Sequence, residues 1–111
     1  MLRIFDSIRK IKVRNSRINS DLNDLLSRVQ SIHAYLNDLE SISSETCNVI
    51  NVDYVFRNLN TVHDLYNHID IIKNMSDKNI VEKEYLLGKV SIIVENLEKQ
   101  VSPVDNYVNI F

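Results

Sequence analysis

The fold class of this chain is decided by residues 4–39, which read IFDSIRKIKVRNSRINSDLNDLLSRVQSIHAYLNDL. Apolar residues recur there at alternating spacings of three and four, which is typical of a heptad seam along one side of an α-helix. The seam consists of Ile4, Ile8, Ile11, Asn15, Ile18, Leu22, Leu25, Val29, Ile32, Leu36 and Leu39. Such a helix would be about 54 Å long at 1.5 Å per residue. We therefore expect part of it to project from the domain or to meet another chain.

Two features of the seam bear on its partners. Further apolar residues flank it where a simple dimer would carry charge pairs, namely Phe5, Leu26, Tyr35 and Ile42. This wider stripe predicts more than two helices around the seam. Asn15 is the polar interruption, and it has two interpretations of equal weight. It fixes register and partner number, or it marks the point where the helix leaves its partner and faces water.

The remainder of the chain predicts two shorter amphipathic helices. A Ser- and Thr-rich stretch places a break within residues 43–52. A second helix follows over about residues 52–74, capped by Asn51 or Asp53. Its apolar face comprises Val55, Phe56, Leu59, Val62, Leu65, Tyr66, Ile69 and Ile72.

A third helix is predicted over about residues 79–101. Asn79 and Glu82 have the spacing of a reciprocal capping arrangement. Pro103 pushes the residue before it out of the helical region, so the helix ends there. Its apolar face comprises Leu86, Val90, Ile93, Leu97 and Val101. We thus predict an all-α coiled coil or helical bundle, with a long helix over residues 1–45, a two-helix segment over 46–102 and an extended arm over 103–111.

The composition excludes several function classes. One Gly and one Pro in 111 residues are too few for strand-rich folds, and glycine-rich nucleotide-binding loops are excluded as well. Cys47 is the single cysteine, so it forms neither a disulfide framework nor a multi-thiolate zinc site. His63 and His68 are five apart and cannot share a metal-binding helix face. We expect no enzyme activity, no metal, no cofactor and no small-molecule substrate.

Charge is distributed unevenly along the chain. Residues 3–17 carry a basic patch of Arg3, Arg9, Lys10, Lys12, Arg14 and Arg17. With Asp6 the net charge of this segment is +5, which leaves −7 for the remainder because the whole chain carries −2. A solvated basic face on the long helix is favoured over an amphipathic helix on anionic lipid or a mitochondrial presequence. Nucleic acid is not expected, because no aromatic stacking platform accompanies the short patch.

Two short stretches resemble a known family. Gln100-Val101-Ser102-Pro103-Val104-Asp105, followed by Val108-Asn109-Ile110, is similar to the segment that leaves the N-terminal rod of an exocyst subunit, a component of a vesicle-tethering complex. Val62-His63-Asp64-Leu65 adds to the likeness. The resemblance implies a rod that pairs with sister subunits and implies no catalysis. No lipid-binding residue is carried over by it.

The sequence therefore predicts a non-catalytic scaffold or assembly subunit that associates with other helical chains. A vesicle-tethering complex is the assembly in which we first expect such a subunit. One alternative is a self-contained viral or bacterial adaptor or inhibitor that binds one target protein. A second alternative is a peripheral membrane binder, with weak anionic membrane contact through the basic N-terminal patch. The lone cysteine favours an intracellular location, in the cytoplasm or at the membrane periphery.

Overall fold

The computed structural model describes residues 2–46 and 49–101, with the side chains of residues 6–41 and 53–101, and these residues form three α-helices. Helix α1 comprises Leu2–Thr46, α2 comprises Val49–Asn74 and α3 comprises Ile80–Gln100. All three pack against one another. The predicted all-α class with a helical-bundle architecture is confirmed.

The long helix α1 sets the length of the molecule. Its 45 residues correspond to about 68 Å of helix at 1.5 Å per residue. The principal extents of the structure are 68 × 24 × 16 Å. Arg14 of α1 pairs with Glu84 of α3, and Arg28 pairs with Glu98. From the first ion pair to the second, the residue number rises by the same amount along α1 and along α3, so the two helices run parallel.

The core lies between the three helices. It contains the six apolar seam residues from Ile18 to Leu36. They pack against nine residues, eight of which belong to α2 and α3, while the ninth, Val101, directly follows α3. These nine are Val62, Leu65, Ile69, Ile72, Ile80, Val90, Val94, Leu97 and Val101. The prediction of more than two helices around the seam is confirmed for this part of α1.

Several predicted boundaries and faces need correction. Helix α1 ends at Thr46 and α2 begins at Val49, both within the range of residues 43–52 in which the break is predicted. The second helix therefore starts before its predicted start near residue 52, and Asn51 and Asp53, predicted to cap it, lie within it. Phe56 and Ile93, placed on apolar core faces, are 54% and 38% exposed. Val94 is fully buried in place of Ile93. A three-helix core takes a narrower strip of each short helix than the apolar spacing indicated.

The capping prediction for α3 is also wrong. Asn79 stands at the N-cap, but its side chain makes no capping hydrogen bond. The connector is instead closed by backbone contacts, with the Asn79 amide donating to the Ser76 carbonyl over 3.0 Å. Helix α3 ends at Gln100, one residue before the predicted end. The predicted arm over residues 103–111 and Cys47 lie outside the described residues.

Candidate interaction site

The predicted seam divides into a packed part and an exposed part. From Ile18 to Leu36 its apolar residues are buried, and Leu39 is half-buried. Ile8 and Ile11 are 46% and 41% exposed, and every residue from 6 to 13 is exposed. The exposure of these two residues agrees with the expectation that part of the long helix projects from the domain or meets another chain. The side chain of Ile4 lies outside the described residues.

Residues 2–13 project beyond the end of the bundle. The connector between α2 and α3 reaches α1 at Asn15, whose side-chain amide donates to the Asp77 carbonyl over 3.1 Å. Twelve residues of helix precede Arg14, which at 1.5 Å per residue is about 18 Å. We call residues 6–13, the part with described side chains, the projecting segment.

The exposed isoleucines face the same side of α1 as the core. Ile8 lies seven residues before Asn15, and Ile11 lies seven before Ile18. Seven residues are nearly two helical turns, so each pair shares one helix face. Asn15 is 7% exposed and Ile18 is 1% exposed, because α3 and its connector cover them. The projecting segment and the bundle end thus form a step. The two isoleucines lie on the surface of α1, and the end of the bundle, made by α3 and its connector, rises beside them.

A buried polar cluster marks the foot of this step. The Lys83 ammonium, on a side chain 2% exposed, donates to the Asn15 Oδ1 over 3.0 Å and lies 3.3 Å from the Asp77 Oδ1. The Asn15 amide also donates to the Ile11 carbonyl over 3.1 Å. The solvent-facing interpretation of Asn15 is therefore wrong. Asn15 instead ties α1 to α3 and to the connector where the projecting segment begins.

The basic patch surrounds the step but does not act as one unit. Arg9, Lys10, Lys12 and Arg17 are exposed, and the side chain of Arg3 lies outside the described residues. Arg14 is engaged by Glu84, and its Nε donates to Glu84 Oε2 over 3.2 Å. This hydrogen bond lowers the pKa of the Glu84 carboxyl. Arg17 also lowers the Glu84 pKa by electrostatic attraction, so the exposed cations Arg9, Lys10 and Lys12 are the part of the patch that points to solvent on the projecting segment.

The histidines provide a packing contact between helices. His33 of α1 and Tyr66 of α2 are joined by a hydrogen bond of 3.0 Å between Nδ1 and the hydroxyl oxygen. The His33 ring also meets the His63 ring edge-on, with centroids 5.8 Å apart. Desolvation raises the pKa of the Tyr66 hydroxyl. His63 and His68 are exposed.

Within residues 2–46 and 49–101, no group of three or more His, Cys, Asp or Glu side chains is arranged to hold a metal ion. Over the same ranges, every helix is too short or too polar to cross a bilayer. Each buried side-chain nitrogen or oxygen that the structure describes has a hydrogen-bond partner.

Sequence reasoning missed Lys83 as a core residue. It lies seven residues before Val90 and fourteen before Leu97, both of which are buried. This places Lys83 on the core face of α3, so a cation at a heptad core position was the available signal. Its burial requires a polar partner, which Asn15 supplies from the other end of the sequence.

Comparisons of this chain with protein-family models, with curated proteins and with solved structures found no match.

Proposed function

We propose that this chain is a non-catalytic helical assembly module that binds a partner helix at the step formed by the projecting segment and the bundle end. The observation that carries the proposal is the exposure of Ile8 and Ile11 on the same face as the buried Asn15 and Ile18. A partner helix placed there would continue the bundle along the side that α3 occupies farther along α1.

The core of the bundle supports this division of roles. The buried seam residues find their apolar neighbours within the chain, among α2 and α3. The chain therefore needs no second protein to bury residues 18–36. What it offers to a partner is the part of the seam that its own helices leave uncovered.

Charge indicates the chemistry of the partner. Lys12 is exposed on one flank of the Ile8–Ile11 face, and Arg9 and Lys10 are exposed farther round the helix, toward the opposite face. Two copies of this segment placed face to face would bring like charges together, which opposes association. A helix with an apolar seam flanked by carboxylates would suit both the apolar face and the positive charge of the projecting segment.

The shape of the step favours a helix over a lipid surface. Packed helices stand about 8–10 Å apart, so the bundle end rises by about that distance beside the isoleucines. A flat bilayer approaching this face would meet the bundle before it reached Ile8. A helix about 10 Å across fits into the step.

The cellular context belongs to the same proposal. A rod that pairs with sister subunits, as in a vesicle-tethering complex, uses helix–helix contacts of this kind. A monomeric adaptor that binds one target protein would use the same step. We place the protein inside the cell, in the cytoplasm or at the membrane periphery, because a lone cysteine suits a reducing compartment.

The first test compares two faces of the projecting segment. A photo-reactive amino acid replaces Ile11 in one variant and Val13 in the other, because Val13 is 52% exposed and lies on the opposite face. We expect a defined protein adduct from position 11 and none from position 13. The adduct is then purified and identified, and its binding to the full chain is measured.

The binding measurement uses matched substitutions. Ile8→Ser with Ile11→Ser should weaken binding about 30-fold or more, whereas Val13→Ser should change it less than about threefold. Replacing Arg9, Lys10 and Lys12 by Gln should reduce the salt dependence. Equal adducts from both positions would contradict the proposal. So would co-sedimentation with phosphatidylserine vesicles that persists at high salt, since electrostatic attraction is screened within about 8 Å.

A further inference from the structure

The outward face of α3 is apolar although it faces away from the core. Val81, Tyr85 and Ile92 are 73%, 61% and 60% exposed. Their spacings of four and seven, at about 100° per residue, place them within about 40° of one another. Gly88 falls in the same sector. The face lies roughly opposite the buried Lys83, Val90, Val94 and Leu97, so it forms a second seam, which we call the outer stripe.

Gly88 gives the outer stripe an uneven profile. It is the single glycine of the chain, and a Cβ added to it would meet nothing within 4 Å. Glycine in the middle of a helix is unfavourable relative to alanine. Because Gly88 lies close to Tyr85 on the same face, the outer stripe has a large side chain beside an indentation.

We propose that two copies of this chain pair antiparallel through the outer stripe. In this arrangement Val81 packs against Ile92 of the second copy, and Tyr85 packs against Gly88 of the second copy. Each contact occurs twice because a two-fold interface is self-complementary. The large ring fills the space left by glycine, whereas a parallel pair would oppose ring to ring and glycine to glycine.

Charges beside the stripe agree with the antiparallel direction. In antiparallel helix pairs, flanking residues of equivalent heptad position approach each other. Glu82 and Lys89 occupy that position one heptad apart, so each faces its opposite charge on the second copy. Lys89 currently lies over the ring of Tyr85, with its Nζ 4.7 Å from the ring centre, and both side chains are exposed.

This interface uses residues other than those of the step, which lies beyond the N-terminal end of α3. The outer stripe belongs to α3 and points away from the core, and therefore away from α1. Pairing through it leaves Ile8 and Ile11 uncovered. The dimer would present two copies of the step, one on each bundle.

Sedimentation equilibrium of the full chain over a range of concentrations tests the proposal. We expect a monomer–dimer equilibrium whose dissociation constant rises about 30-fold or more in Val81→Glu and in Ile92→Glu. The matched control is Phe56→Glu, because Phe56 is 54% exposed on α2, outside the stripe. Circular dichroism checks that each variant folds. We expect all of them to fold, because the substituted positions are exposed.

A charge exchange tests the direction of pairing. Lys89→Glu alone and Glu82→Lys alone should each raise the dissociation constant about tenfold, and the double exchange should restore it. A chain that stays monomeric at every concentration would overturn the proposal. A dimer unaffected by Ile92→Glu, or one that the double exchange fails to restore, would overturn it equally, the former indicating another interface and the latter another direction.

Discussion

Residues 6–13 and residues 15–36 of α1 continue one heptad seam, yet their surroundings differ. Val29 and Leu36 are 0% exposed, whereas Ile8 and Ile11 are 46% and 41% exposed. Nothing in the spacing changes between the two parts. The comparison shows that a heptad pattern specifies which helix face is apolar, while the number of residues in the other helices decides how much of that face is covered within the chain.

The largest expected effect compares one residue from each part. Leu25→Ala should lower the free energy of unfolding by about 2–5 kcal/mol, because it removes buried methyl groups and leaves a cavity. Leu25 is 4% exposed. Ile11→Ala should change the free energy of unfolding by less than about 0.5 kcal/mol, as expected for an exposed residue. Urea unfolding followed by circular dichroism measures both.

One result for these two variants would contradict the difference between the two parts of α1. If Ile11→Ala were as destabilising as Leu25→Ala, the projecting segment would be packed in solution. A second measurement of Ile11→Ala at several protein concentrations distinguishes packing within the chain from packing against another copy, because only the latter depends on concentration.

The boundary between the two parts gives the next effect. Asn15→Ile should lower the free energy of unfolding by about 1–3 kcal/mol, because it takes away the Asn15 acceptor of the buried Lys83 ammonium. If Asn15 served only to set register, Asn15→Ile would raise thermal stability, because a polar residue at a heptad core position costs stability. The structure reverses this expectation, since the asparagine satisfies a cation from α3.

A double-mutant cycle checks the cause of that loss. Adding Lys83→Met to Asn15→Ile should recover most of the stability, because a buried polar pair can be replaced by apolar groups of similar size. Additive losses in the double variant would contradict a direct interaction between the two side chains. Thermal unfolding of the four proteins in the cycle provides the data.

The smallest effect concerns an ion pair over the packed part. The hydrogen bond from Arg28 lowers the pKa of the Glu98 carboxyl, and the Nε–Oε2 distance is 3.0 Å. This contribution is present above the carboxyl's unfolded pKa of about 4.3 and is lost as pH falls through its lowered folded pKa. Both side chains are about one-third exposed, so Glu98→Gln should cost only about 0.2–1 kcal/mol at neutral pH.

The pH dependence sharpens the comparison. The difference in unfolding free energy between the wild type and Glu98→Gln should shrink as the pH is lowered below the folded pKa of Glu98. Asp6→Asn in the projecting segment is the matched control, because Asp6 is exposed, and its effect should be negligible at either pH. A difference for Glu98→Gln that stays constant with pH would show that the ion pair contributes nothing.

Much of the fold followed from local pattern, and the candidate sites followed from it less completely. The spacing of residues 18–36 predicted a buried face, because a helix with one apolar side is stable only when that side leaves water. The start of α3 followed less directly from the sequence. Asn79 has a side chain that can cap a helix, but backbone hydrogen bonds close the connector and the side chain makes no capping bond. The outer stripe went unnoticed because α3 carries two apolar faces, and spacing alone does not say which one a core will take.

The sequence by itself determined that this protein is helical and which face of its long helix is apolar. These are consequences of residue spacing and of the scarcity of glycine and proline, and both act within a few turns of chain. Only the tertiary structure decided that Asn15 is buried against Lys83, that Ile8 and Ile11 stay exposed, and that Val81, Tyr85 and Ile92 point outward. Those outcomes depend on contacts between residues as far apart as 68 positions, which no local pattern encodes because they are set by how three helices of unequal length pack together.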